Sequence, residues 1–234
     1  MRILVTRPQP DAEATAERLA AAGFDAIVDP LLSVEPVPDA RLPDGRFDAV
    51  ALTSVNGART LAARAELAAL AGLPLYAVGK RTAAAAPPGF SAVHVAGGDG
   101  AALVELLREK LPRGARVLHV AGEERAVELP EALAPAGIAA ELFVIYRAVA
   151  ATALAAATVD AAQARRIDAA FHFSPRTAGT LATLAQAAGA AAHFRHITHL
   201  CFSANVAAPL AAAGWPTRIA AEPTEDGLFA LLGR

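Results

Sequence analysis

Asp48-Ala-Val-Ala-Leu-Thr-Ser-Val-Asn-Gly-Ala-Arg-Thr-Leu-Ala62 is answered by Asp168-Ala-Ala-Phe-His-Phe-Ser-Pro-Arg-Thr-Ala-Gly-Thr-Leu-Ala182, 120 positions on (168 − 48) and without a gap. In each copy Asp opens a short apolar run, Ser54 or Ser174 stands where the run stops, and an Ala/Leu-rich pattern of helical period follows. Each copy therefore predicts one strand-turn-helix unit. Serine is a good N-cap, and closing the helix start is by itself a sufficient role for either hydroxyl. The same polar strand end occurring twice, far apart in the chain, points instead to two similar lobes that offer matching surfaces to one ligand.

Outward from these copies, strands and helices alternate. The pattern predicts strand 2–6, helix 11–22 stopped by Gly23, and strand 25–29, then a Pro-rich irregular segment 30–46 containing Pro36, Pro38 and Pro43. Alternation resumes with strand 49–53, a helix to about 70, strand 75–78, a helix from about 81, strand 92–95 and helix 100–110. Strand 116–120, helix 126–136 and strand 140–145 follow, and 146–163 reads as a second irregular segment. The chain closes with strand 169–173 and its helix, strand 198–202, helix 205–213, strand 217–220 and a helix from Glu225. A second echo joins the lobes: Arg116-Val-Leu through Leu133-Ala-Pro-Ala-Gly-Ile138 repeats Arg2-Ile-Leu through Leu19-Ala-Ala-Ala-Gly-Phe24 at an offset of 114 (116 − 2). Strands alternating with helices of this length imply mainly parallel sheets, helices on both faces and right-handed crossovers, a doubly wound α/β class.

The chain has 234 residues, 55% hydrophobic and 19% charged, which suits a well-buried globular protein of one large or two small domains. The Ala-rich runs are too short and too weakly apolar for membrane spans, and the apolar run from Ile3 ends at Thr6-Arg7-Pro8, too soon for a secretory signal. The expected compartment is the cytoplasm. One cysteine, Cys201, excludes an internal disulfide and a Cys-based zinc site, and its neighbours predict a packed strand residue. A net charge of −2 argues against a nucleic-acid partner, so an anionic ligand has to be met by local groups.

In sheets of this class ligands bind beyond the carboxyl ends of the strands. The groups expected there are Thr6 and Arg7; Thr53, Ser54 and Asn56; Gly79, Lys80, Arg81 and Thr82; Gly122 and Arg125; Tyr146 and Arg147; Ser174 and Arg176; Ser203 and Asn205. Hydroxyls, amides and cations dominate, and with helix N-termini they suit an anion bearing several acidic groups. No metal-ligand spacing, dinucleotide fingerprint or phosphate loop accompanies them. Gly97-Gly98-Asp99-Gly100 lacks the Lys-Ser/Thr of a phosphate loop and reads as a turn before a helix. His193, His196 and His199 read as surface or helix-end residues, and His172 as a core or near-site residue on its strand.

These residues resemble the uroporphyrinogen-III synthase family. The resemblance is carried by the opening Ile3-Leu-Val-Thr-Arg-Pro, Thr53-Ser54 with Asn56-Gly-Ala, Tyr76-Ala-Val-Gly-Lys-Arg-Thr-Ala, Gly122 with Arg125, Val144-Ile-Tyr-Arg-Ala, Phe173-Ser-Pro-Arg-Thr-Ala and the closing Glu222-Pro-Thr. Each motif is weak alone, and their order and spacing together are more specific. The resemblance implies two α/β lobes joined by a two-stranded linker, with discontinuous domains 1–35 plus 150–234 and 37–148, and a substrate held in the cleft between them. It also implies a cofactor-independent lyase without metal that cyclises hydroxymethylbilane, inverts the terminal pyrrole ring and releases water. Tyr146 is the implied catalytic group, hydrogen-bonding the departing hydroxyl. Its bland counterpart is a packed aromatic at the lobe junction. Arg7, Thr53, Ser54, Lys80, Thr82, Gly122, Arg125, Ser174, Arg176, Ser203 and Asn205 are the implied substrate-binding residues. One departure is Ser203-Ala-Asn-Val-Ala, which puts Val206 where the family usually has Thr.

The expected partner is a small-molecule linear tetrapyrrole met by a monomer, with no nucleic acid and no membrane. Two rival readings come from other classes: a non-catalytic two-lobed binder of a tetrapyrrole or other polyanion, and a doubly wound glycosyl or phosphosugar enzyme. A nucleotide-sugar enzyme should show a diphosphate-cradling Gly turn paired with a ribose-binding acid, and the sequence offers no such pairing.

Overall fold

A computed structural model describes residues 1–125 and 127–233. The chain opens with β1 (Arg2–Val5), α1 (Asp11–Ala21), β2 (Asp25–Val28) and β3 (Leu32–Pro36), then β4 (Ala49–Leu52) and α2 (Val55–Ala62), followed by a 3-10 turn, Ala65–Leu70. Next come β5 (Pro74–Ala77), α3 (Lys80–Ala84), β6 (Ala92–Val95), α4 (Gly100–Lys110), β7 (Arg116–Gly122) and α5 (Leu129–Leu133). The remainder is β8 (Ala139–Ala150), α6 (Ala156–Gln163), β9 (Ala169–His172), α7 (Pro175–Ala187), α8 (Ala191–Phe194), β10 (Thr198–Cys201), α9 (Ala204–Ala212), β11 (Thr217–Ile219) and α10 (Glu225–Leu231).

These elements form two compact units, 1–33 with 149–234, and 34–148. The first holds a sheet in the order β11-β10-β9-β1-β2, with every registered pair parallel. The second holds β3-β8-β7-β4-β5-β6, parallel from β8 to β6. Each core lies between sheet and helices. Leu4, Ala170, Leu181, Phe194 and Leu210 pack on one face of the first sheet, and Ile3, Val5, Phe171 and Leu228 on the other. Val50, Leu52, Leu61 and Phe143 cover one face of the second sheet, while Ala51, Leu103, Val117 and Leu133 cover the other.

Both sequence echoes reappear as geometry. In the first sheet the winding reverses between β9 and β1, and in the second between β4 and β7. Those four strands are the repeated ones. At the foot of each pair the same lock recurs: the Arg2 N–H donates to Asp168 Oδ2 at 2.6 Å, and the Arg116 N–H to Asp48 Oδ2 at 2.8 Å. The backbone answers in both, from Asp168 N–H to Arg2 O and from Asp48 N–H to Arg116 O. The first unit is thus the second with its strands in a permuted chain order.

The segments read as irregular contain regular structure. β3 falls inside 30–46, and β8 runs for 12 residues through Tyr146 to Ala150. The two are neighbours in the sheet, and they run in opposite senses, since the Ala151 N–H reaches Leu31 O and the Val37 N–H reaches Ile145 O. Pro36 is tolerated because it ends an edge strand, where no ladder hydrogen bond needs its missing N–H. Helix 126–136 is broken into α5 and a 3-10 turn, Ala134–Ala136, and its expected first residue, Ala126, lies outside the described residues. Gly97 to Gly100 form the turn before α4, capped by Asp99 Oδ1 accepting from the Ala102 N–H at 2.8 Å. Among the described residues no helix is long and apolar enough to cross a membrane.

Candidate functional site

The reversal point of a doubly wound sheet opens a crevice at the carboxyl strand ends, because the flanking crossovers leave on opposite faces. In the second unit this point is the end of β4 beside the end of β7. Thr53 and Ser54 follow β4, and Gly122 ends β7. Ser54 caps α2: its Oγ accepts the Gly57 N–H at 2.9 Å and lies 2.7 Å from the Tyr146 hydroxyl on β8. Thr53 Oγ1 lies 3.0 Å from Nε2 of His119, which is fully buried on β7.

Tyr146 is held by absence as much as by contact. A Cβ placed on Gly122 would sit 2.6 Å from Tyr146 Cζ and 3.0 Å from its hydroxyl, so the ring lies directly over the glycine. Replacing Gly122 with Ala is expected to push the phenol off Ser54 and, on the expectation that Tyr146 is the catalytic group, to cut turnover about as much as losing the hydroxyl, on the order of 100-fold. Steady-state kinetics beside a melting curve would check this, and unchanged turnover would show that Tyr146 needs no such seat. Burial lifts the Tyr146 phenol above its ordinary value, with the Ser54 hydrogen bond drawing it partly back, so the group stays a neutral donor at working pH.

The cations of this unit differ in engagement. Arg125 donates to Glu128, with Nε to Oε2 at 3.1 Å, and to the Glu123 carbonyl at 2.9 Å. Lys80 is exposed at the start of α3, two residues before the buried Thr82. Tyr76 belongs to β5, and Lys80 and Thr82 to α3, one strand beyond the reversal point.

In the first unit the reversal point brings the end of β1, with Thr6 and Arg7, beside the end of β9, with Phe173 and Ser174. Ser174 caps α7, accepting from the Thr177 N–H and pairing with the Thr177 hydroxyl at 2.8 Å. Arg7 is only 8% exposed: it donates to Asp11 at 3.0 Å and Thr15 at 3.2 Å, stands 3.8 Å from Glu225, and lies 4.1 Å over the Phe173 ring. Two carboxylates therefore already balance this cation. Arg176 is half-buried in the first turn of α7. Ser203 caps α9 through the Val206 N–H, and Asn205 is exposed beside it. Val206 packs in the apolar core. At the matching place in α7 the Thr177 hydroxyl serves its cap serine, so the hydroxyl missing at 206 corresponds to one engaged in capping.

The site readings for histidine need correction. His199 is fully buried, not a surface residue, with Nδ1 2.9 Å from His172 Nε2 and Nε2 3.2 Å from the Phe194 carbonyl. The β9–β10 pairing makes this contact, and no local pattern announces it. His119 was not singled out by the sequence. The available signal was its place in the strand just before the reversal point. Cys201 is buried as expected, and burial pushes its thiol up to about 12. Among the described residues no three His, Cys, Asp or Glu side chains gather to hold a metal ion.

Fold and site together define a class: a two-unit, doubly wound α/β protein whose strand ends present hydroxyls and cations. The family model described as uroporphyrinogen-III synthase HemD matches residues 13–230, and the chain belongs to that family. A search of curated proteins gives no match. The fold is shared with solved structures. The uroporphyrinogen-III synthetase of Helicobacter pylori is 21% identical at a TM-score of 0.62, with 99% of this chain and 98% of that chain covered. A mutant uroporphyrinogen III synthase of the extreme thermophile Thermus thermophilus is 19% identical at a TM-score of 0.55, covering 100% and 96%.

Proposed function

We infer that the protein is a uroporphyrinogen-III synthase, a cofactor-independent lyase that cyclises hydroxymethylbilane to uroporphyrinogen III with loss of water and inversion of the terminal pyrrole ring. The observation that carries this is the family match over residues 13–230. The residue roles that follow are our proposal. The substrate's hydroxymethyl C–O bond breaks, and the departing oxygen needs a proton to leave as water. Ser54 Oγ already accepts the Gly57 N–H, so its own proton can go to the Tyr146 oxygen. That leaves the Tyr146 O–H to donate to the leaving hydroxyl. The carbon cation so formed, stabilised by its pyrrole, can close at either position of the terminal ring, the proton lost from that ring replaces the one the phenol gave up, and the protein's main task is to hold one geometry.

Thr53, Ser54, Lys80, Thr82, Gly122 and Arg125 on one unit, with Ser174, Arg176, Ser203 and Asn205 on the other, are proposed to bind the substrate's carboxylates. Arg7 is proposed to act with them, its charge shared with Asp11 and Glu225. The protein is proposed to work as a cytoplasmic monomer.

Chelator-treated protein without added cofactor should convert hydroxymethylbilane to the type III isomer, where buffer alone gives type I. A tenfold preference for the inverting path requires only about 1.4 kcal/mol between transition states. Because the ligand is a polyanion and the chain's net charge is −2, affinity should rest on local cations and weaken with salt. Isomer analysis at high protein concentration decides the matter: type I alone would leave a non-catalytic anion binder.

A further inference from the structure

We propose that His119 is a positioning residue for this reaction, fixing the Thr53 hydroxyl as a hydrogen-bond donor turned toward the substrate. This rests on the reading that Thr53 meets the substrate. His119 faces Ala51 of β4 in register, is fully buried, and has Nε2 3.0 Å from Thr53 Oγ1. Its Nδ1 finds no hydrogen-bond partner among the described residues.

A neutral imidazole carries one N–H and one bare lone pair. If Nδ1 bore the hydrogen, a buried donor would be stranded, and such donors are rarer in native proteins than unfilled acceptors. The proton therefore belongs on Nε2, which donates to Thr53 Oγ1. With that oxygen accepting, the Thr53 proton is directed away from the ring, out of the strand end, where Thr53 is partly exposed. Burial, helped by the nearby Arg125 charge and opposed by Glu128, holds His119 down to about 4, so it stays neutral at working pH.

The fold does not require a polar group here. In the repeat, position 119 corresponds to Val5 of β1 (119 − 114), which is also fully buried at a reversal point. An apolar side chain fills that place in the first unit, and burying an imidazole instead carries a desolvation penalty. A histidine at this one copy is accounted for by what it does to Thr53. The neighbouring pair follows the same logic, since the Gly57 N–H into Ser54 Oγ sends the Ser54 proton to Tyr146 and so turns the Tyr146 O–H outward.

Two measurements test the proposal. Imidazole 15N spectra of the wild-type protein, assigned against His119→Gln, should show the Nε2–H tautomer at His119, and the Nδ1–H tautomer would overturn the proposal without any assay. In kinetics with hydroxymethylbilane, His119→Leu should raise KM about tenfold with kcat little changed, because a donor to a carboxylate acts in ground and transition states alike. His119→Gln should recover most of this, its amide N–H standing near the place of Nε2. In a Thr53→Val background His119→Leu should add less than about twofold. Gln as impaired as Leu in proteins that melt like wild type, or effects of His119→Leu and Thr53→Val that multiply, would refute the positioning role. A wild type that yields only type I product would instead defeat the enzyme reading, and the tautomer result would still stand or fall by itself.

Discussion

Tyr146→Phe should lower kcat by on the order of 100-fold while product binding changes little. In the proposed role the phenol supplies a proton only as the C–O bond breaks, so its interaction would grow in the transition state and be nearly absent once water has left. A 100-fold loss corresponds to about 2.7 kcal/mol, within reach of one hydrogen bond to a developing charge. The packing of Tyr146 depends on its ring, which Phe retains above Gly122, so stability should hold. Single-turnover rates beside product titration separate the two effects. Equal losses in both would mean that Tyr146 only packs. Ser54→Ala should act in the same direction and less strongly, because Tyr146 keeps its proton but loses the partner that orients it.

The second large effect is on stability in acid. His119 and His199 are held to about 4 and His172 well below its ordinary value of 6.5, in each case chiefly by burial, with His172 and His199 also facing one another. In the unfolded chain each would titrate near 6.5, so the unfolded state gains protons first as pH falls. The stabilisation is therefore complete above pH 6.5 and is lost as pH falls below it, down to about 4 for His119 and His199, by roughly 1.4 kcal/mol per pH unit for each histidine. Between pH 7 and pH 5 the first unit, which holds His172 and His199, should lose several kcal/mol. Trp215 reports this unit directly: it is the chain's only tryptophan and stacks on His199 at 4.9 Å and Phe194 at 5.2 Å. Urea midpoints read from Trp215 fluorescence should fall clearly at pH 5, and His199→Gln should flatten the dependence. Equal midpoints at the two pH values would show that these rings are not kept neutral by the fold.

The alternation of strands and helices was more legible in the sequence than the pairing of those strands or the partners of its charges. Two ungapped echoes, at Asp48 with Asp168 and at Arg2 with Arg116, were legible because each spans a full strand-turn-helix, and they turned out to mark the reversal points of both sheets. The apolar runs also placed β6 and α4 residue for residue. What escaped depends on pairing at a distance. β3 hides among prolines and takes its ladder from β8, more than 100 positions on. Thr53, Ser54, Gly122 and Tyr146 were read as strand ends, but only the β4–β7–β8 order brings them to one place. Arg7 was read as a strand-end cation for the ligand, and Glu225, one of the carboxylates beside it, comes from the last helix, out of reach of a local reading. His119 and His199 look alike as letters, and the structure separates them by what each nitrogen meets.

The permuted order of the first unit has a consequence for synthesis. β1 takes its place between β2 and β9, and the contact that locks it, Arg2 to Asp168, spans 166 positions. A ribosome needs roughly 8 to 33 s to make that much chain. Throughout that interval β1 has an open edge on the side that β9 will fill, while all of 34–148 emerges as one continuous stretch and can fold first. β1 is thus made before all of 34–148 and is among the last strands to find its partner. A chain cut short just after β8 would carry a whole second unit and, at its other end, two strands with nothing to close against.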